Sequence, residues 1–168
     1  LLTTLTAMFS EDLKSIALWQ MGSFAMRGWT YVWLIIPFCL VGMIGILRYT
    51  KEMDILTFGE EQAQSTGVDV SKIKRNLFIF SAILTGGAIS LSGTIGFIDL
   101  IAPHVVRRVF GSKHKYVIPM SFVFGGCLMV ITDLIARSIF DSTELPVGAV
   151  TAIIGAPFFA YVYFKKAS

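Results

Sequence analysis

Four stretches of this chain contain no Asp, Glu, Lys or Arg: Trp29 to Leu47, Leu77 to Ile98, Tyr116 to Thr132 and Leu145 to Phe164, of 19, 22, 17 and 20 residues. A helix rising about 1.5 Å per residue needs about 20 residues to cross about 30 Å of hydrocarbon. Runs of that length without a charge are what lipid selects, because a helix in water needs only one apolar face. Of the 168 residues, 55% are hydrophobic and 15% charged, which is too apolar for a water-soluble domain of this size. The expected class is all-α: a polytopic helical membrane protein.

That composition excludes a disordered chain, a nucleic-acid reader and a disulfide-stapled secreted domain. Cys39 and Cys127 both fall mid-span and read as packing residues. The net charge of +3 records orientation in a membrane protein rather than a nucleic-acid partner.

Along the chain, residues 1–9 are apolar but too short to span and lack a basic region ahead of them, so they read as the end of a span and not as a signal peptide. Residues 10–28 carry Glu11, Asp12 and Lys14 and then Ile16, Trp19, Met21 and Phe24, the make-up of an interfacial helix with a Trp at the headgroup boundary. Residues 29–48 form a span kinked at Pro37. Residues 49–76 form a polar loop in which Gly59 and Gly67 bracket a short helix, Glu60 to Thr66. Residues 77–92 form a span whose small residues (Ser81, Ala82, Gly86, Gly87, Ala88, Ser90) suit close packing against protein. Spans at 115–138 and 145–165 complete the set.

Between them, residues 93–109 hold Gly93, Gly96, Asp99, Pro103, His104 and Arg107, too many breakers and polar groups for a lipid-facing span. Basic residues decide whether this segment crosses. If it does, eleven (Arg48, Lys51, Lys72, Lys74, Arg75, Arg107, Arg108, Lys113, Lys115, Lys165, Lys166) share one side, and Lys14, Arg27 and Arg137 take the other. If it does not, the split falls to six against eight. Lys and Arg concentrate on the cytoplasmic face, so the segment crosses, beginning extended at Gly93 and Gly96 and ending in a short helix with Pro103 near its start. There His104 can bond exposed carbonyls of the break.

No catalytic residues are expected. The chain has no Gly-rich loop ending in Gly-Lys-Ser/Thr, no His-Glu-x-x-His and no Gly-x-Ser-x-Gly. His104 and His114 stand ten apart with no acid at metal-ligand spacing, so no metal is expected either. Any energy source must come from elsewhere.

The run Gly93-Thr94-Ile95-Gly96-Phe97-Ile98-Asp99-Leu100-Ile101-Ala102-Pro103-His104, then Gly111-Ser112-Lys113-His114, Asp133-Leu134-Ile135-Ala136-Arg137, Leu145-Pro146-Val147-Gly148 and Gly155-Ala156-Pro157-Phe158 resembles the permease subunit of ABC importers for iron-siderophores, haem and cobalamin. Trp19-Gln20-Met21-Gly22-Ser23 and Gly59-Glu60-Glu61-Gln62-Ala63 with Gly67 are similar to further landmarks of that family in the same order. One departure is Asp99, which stands where the family usually has Gly.

The resemblance implies the C-terminal half of a permease of about ten spans: the end of the fifth and all of the sixth to tenth. It implies that the loop holding Gly59, Glu60, Glu61, Ala63 and Gly67 couples to a cytoplasmic ATPase, with the two acids open to charged contacts. It implies that Arg137 docks an extracytoplasmic substrate-binding protein, against the plainer alternative of a pair with Asp133 or Asp141. Thr3, Thr4, Ser23 and Thr151 become pathway or dimer-interface residues beside a second permease copy. The chain itself would bind no cofactor, ATP and Mg belonging to the ATPase, and would sit in a bacterial or archaeal cytoplasmic membrane with its C-terminus inside. The rival reading is an ion-gradient-driven secondary transporter with its site at the broken span.

Overall fold

A computed structural model describes residue 16 and residues 19–24, 28–138 and 146–167, except the side chains of 163 and 165–167. Thr3, Thr4, Asp141 and the apolar start at residues 1–9 lie outside the described residues. The elements of the described chain are helices, with α1 at Trp29–Leu47, α2 at Thr50–Leu56, α3 at Glu60–Ser65, α4 at Val70–Ser92, α5 at Ile98–Phe110, α6 at His114–Ser138 and α7 at Val147–Ala167. Among them α1, α4 and α6 are long and apolar enough to cross a membrane, and α7 adds the apolar stretch Val147–Val162.

The first charge-free run is α1 to the residue. The other boundaries shift. α4 begins at Val70 rather than 77, because Asp69 caps it by accepting the Lys72 N–H at 3.0 Å. Lys72, Lys74 and Arg75 then ride on the start of the helix, ahead of its charge-free run. The predicted polar loop is shortened accordingly, and it holds a helix that composition alone did not mark, α2. The interfacial helix expected over 10–28 ends at Gly22, where φ is 69°. Residues 22–24 are non-helical and run across the end of α4, the Ser23 N–H donating to the Ser92 carbonyl at 3.0 Å.

α1 and α4 pack antiparallel, with large residues of each set into glycines of the other. Leu84 and Phe80 of α4 fill the space over Gly42 and Gly45 of α1, and a Cβ on Gly87 would lie 2.9 Å from that of Phe38. Of the expected small-residue face, Gly87 is buried against Phe38, while Ser81, Ala82, Gly86, Ala88 and Ser90 are exposed in this chain. The close approach is shared: Gly42 and Gly45 of α1 admit Leu84 and Phe80, and Gly87 of α4 admits Phe38.

α5, α6 and α7 form a second group, each packing on the other two. Large apolar side chains still face outward on every long helix; Trp29 is 79% exposed, Phe78 76% and Ile153 74%. A surface of that character calls for lipid or further protein.

Candidate functional site

The chain turns at two ends. At one end lie α2 and α3, the start of α4 and the start of α6; at the other lie residues 19–24, the end of α4, the start of α5 and the start of α7. The second end is closed by backbone. Gly93, at φ 75°, and Gly148 each lie so near the strap formed by residues 19–22 that a side chain on either would collide with it, at the carbonyl of Trp19 and of Met21. The Thr94 hydroxyl donates to the Gln20 carbonyl and the Gly148 N–H to that of Gly22.

From this junction the chain is non-helical through 93–96 and enters α5 through Phe97, the one described non-glycine residue with a positive φ (69°). α5 has 13 residues, about 20 Å, and Gly111 at φ 84° ends it. Since His114 then contacts Asp54 of α2, residues 93–110 pass from one end of the bundle to the other. That end-to-end course is the one a crossing of this segment needs.

Pro103 is the sixth residue of α5, farther in than expected, because the left-handed Phe97 starts the helix at Ile98. Proline has no N–H for the Asp99 carbonyl four residues back. Asp99 is exposed in the first turn, where a carboxylate complements the positive end of the helix, and Arg107 in the last turn complements the other. His104 makes an edge-on contact with Phe158 at 5.9 Å between centroids rather than the expected carbonyl bond. With Phe97, Leu100, Ile101 and Phe159 these two rings line an apolar groove of about 140 Å³ between α5 and α7. That is well below the roughly 300 to 1,000 Å³ of sites for drug-sized ligands.

At the first end, α3 occupies the place expected between Gly59 (φ 118°) and Gly67 (φ 86°), one residue shorter. Ala63 is fully buried and anchors it, while Glu61, Gln62, Gln64 and Ser65 face outward. Glu60 is less open than the sequence implied, since it pairs with Lys74 of α4. Just ahead of α3, Phe58 is 76% exposed among polar neighbours. Sequence reasoning passed over it, although an aromatic between Thr57 and Gly59 outside any apolar run is itself a signal.

Asp54 was missed as well. Its carboxylate accepts the backbone N–H of His114 at 2.9 Å and lies 2.6 Å from His114 Nδ1. Burial pushes its pKa up, but the two His114 hydrogen bonds, with the charges of His114 and Lys113, outweigh that and hold it below the usual carboxylate range. An anion here also satisfies an orphan N–H at the positive end of α6.

Arg137 Nε donates to Asp133 Oδ2 at 2.8 Å, one turn back on α6, so the intrachain pair forms; the guanidinium side chain is 52% exposed. Ser23 is half-buried within the strap. Thr151 is corrected: it is 1% exposed and its hydroxyl donates to the Gly148 carbonyl at 2.9 Å, which makes it a packing residue of α7 rather than a pathway surface.

The sequence pattern of the FecCD transport family matches residues 1–165. The chain is 38% identical over 165 residues to the ABC transporter permease protein YvrB of Bacillus subtilis, covering 98% of this chain and 47% of that protein. It is 41% identical over 152 residues to the cobalamin import system permease protein BtuC of Halobacterium salinarum (90% and 41%) and 34% identical over 160 to the hemin transport system permease protein HmuU of Yersinia pestis (93% and 47%). The chain thus spans just under half the length of these relatives. An inward-facing metal-chelate type ABC transporter superposes with a TM-score of 0.86 at 32% identity, over 92% of this chain and 50% of that one.

Proposed function

The chain belongs to the FecCD transport family, and on that premise we propose that it forms the C-terminal half of the permease of an ATP-driven importer. The cargo is a chelate of the iron-siderophore, haem or cobalamin class, moved into the cytoplasm. The observation that carries this reading is the family match over residues 1–165, which takes in both the interrupted helix at 93–110 and the α2–α3 segment. Its relatives are named for cobalamin, hemin and Fe(3+)-citrate import.

On this reading the α2–α3 end is cytoplasmic, as is the C-terminus, and the membrane is the cytoplasmic one. α3 and Phe58 meet the ATPase, which holds ATP and Mg and supplies all the chemistry. The strap end faces outward and presents Arg137 to a substrate-binding protein, where a charge pair fixes register and speeds encounter. The groove between α5 and α7 is too small for such a chelate, which favours a pathway lying between this chain and a second permease copy. Transport then follows from differential binding: the ATPase holds α3 differently with and without ATP, and the two permease copies rock between two states.

The test is reconstitution of the full-length permease with its ATPase and binding protein in liposomes. Uptake of an iron-siderophore, haem or cobalamin that needs ATP and survives collapse of the proton gradient is expected. Uptake that survives loss of the ATPase but stops with the gradient would install the secondary-transporter reading instead.

A further inference from the structure

The helices fall into two packing groups, α1 with α4 and α5 with α6 and α7. Among the described residues, two polar junctions join them. At the strap end, residues 19–23 bond to Ser92 and Thr94 and to Gly148, touching both groups at once. At the other end the junction is α2 against α6, and the bonds that cross it are those of Asp54 to His114, 60 residues apart in sequence.

α2 is placed to receive force. Two residues, Arg48 and Tyr49, separate it from α1, the Thr50 hydroxyl donates to the Leu47 carbonyl at 3.1 Å, and α2 packs directly on α3. α3 reaches α4 through the exposed Lys74–Glu60 pair and four linking residues, 66–69. A displacement of α3 therefore passes to the first group along the chain. At this end its way to the second group is the packing of α2 on α6, where the cross-junction bonds are those of Asp54.

The contact suits that task. One carboxylate oxygen, Oδ1, holds both the main-chain N–H of His114 and its ring nitrogen, so it grips the first residue of α6 at backbone and side chain together. His114 is 8% exposed, and its imidazole is locked in packing rather than swinging in water. A charge-assisted bond of this kind is stronger and more directional than a neutral one.

We infer that Asp54 and His114 form a clamp that carries motion of the α2–α3 segment into α6, so that Asp54 is a positioning residue for coupling. This rests on the permease reading. Breaking the clamp leaves α3 attached and able to dock, but lets it move without taking α5, α6 and α7 along. ATP is then hydrolysed without matching transport.

The experiment uses the full-length permease assembled with its ATPase and binding protein in liposomes, measuring chelate uptake and ATP hydrolysis on the same sample. Coupling free energies between sites typically span about 5- to 150-fold. Asp54→Ala is expected to assemble and to lower uptake per ATP by at least about fivefold. Asp54→Asn, which keeps an acceptor oxygen in place, is expected to recover most of that ratio. A purely structural defect lowers both rates together and leaves their ratio alone. Wild-type uptake per ATP in Asp54→Ala overturns the clamp and leaves the permease reading standing; absence of ATP-driven uptake in the wild type overturns the reading itself. Should Asp54→Ala fail to assemble, spin labels at Ser65→Cys and Lys115→Cys with Asp54 intact decide the matter. Their separation is expected to stay fixed through ATP binding, and a change in it overturns the clamp.

Discussion

Phe97 lies directly against Gly155, its Cβ and ring occupying the space that a side chain on Gly155 would need. Phe97 also sits in the left-handed region at φ 69°, a conformation that costs a bulky residue about 1 to 3 kcal/mol and persists only where its surroundings hold it. Gly155 is part of what holds it, admitting the ring into the contact between α5 and α7. Gly155→Ala is expected to lower stability by about 1 to 3 kcal/mol through overpacking. Gly126→Ala, which meets nothing within 4 Å, is expected to be neutral or to stabilise α6 by up to about 1 kcal/mol. Thermal unfolding of the full-length permease in detergent compares them, and equal midpoints would show that the contact does not constrain the helices.

The clamp also gives a pH dependence with a defined sign. The Asp54 carboxyl is held below its ordinary range in the folded chain, so the unfolded chain binds the proton more readily. Its contribution is complete above the unfolded value of about 4 and is lost as pH falls through the lower folded value. With the carboxylate 36% exposed, the effect is modest, about 0.3 to 1 kcal/mol for an anion at a helix N-terminus. Wild type is expected to exceed Asp54→Asn in thermal midpoint at pH 7, with the gap closing below about pH 4. A gap that widens on acidification contradicts the assignment.

The parts of this fold that were legible in sequence are those set by a local rule. A charge-free run of 19 residues gave α1, and two glycines around a polar heptad placed α3, because span length and backbone sign are properties of a few neighbouring residues. The breakers Gly93, Gly96 and Pro103 marked the interrupted helix at 93–110, again through residues close in sequence. What failed to show needed partners distant in sequence. Nothing near Asp54 announces His114, and α2 is too short and too charged to register as a helix without α6 to pack on. The small residues of α4 pointed to Gly87, which packs on Phe38, but nothing in that helix announced that Gly42 and Gly45 of α1 would take its large residues Leu84 and Phe80.

Phe58 tests the cytoplasmic docking surface. An aromatic 76% exposed outside the apolar spans adds nothing to the packing of this chain, so Phe58→Ala is expected to leave thermal stability unchanged. Truncating an aromatic anchor at the centre of an interface typically costs about 2 kcal/mol or more, close to thirtyfold in affinity. Titration of the ATPase onto the detergent-solubilised permease is expected to show a loss of that order. Unaltered binding would place the ATPase contact on α3 alone.

Arg137 distinguishes a docking residue from a local one because the two roles differ in size. Its bond to Asp133 is an i, i+4 pair on a half-exposed helix face, and such pairs contribute about 0.3 to 0.5 kcal/mol. Arg137→Ala should therefore shift unfolding very little. A rim charge facing an acidic partner acts chiefly on association rate and salt dependence, so Arg137→Glu is expected to slow association with the substrate-binding protein by tenfold or more at low salt, the deficit shrinking as ionic strength rises. Asp133→Asn supplies the control: it releases the guanidinium from its neighbour without removing the charge, and should leave association unchanged or faster. Association rates by surface plasmon resonance on nanodisc-held permease report all three variants. If Arg137→Glu and wild type associate equally fast, the arginine serves only its own helix.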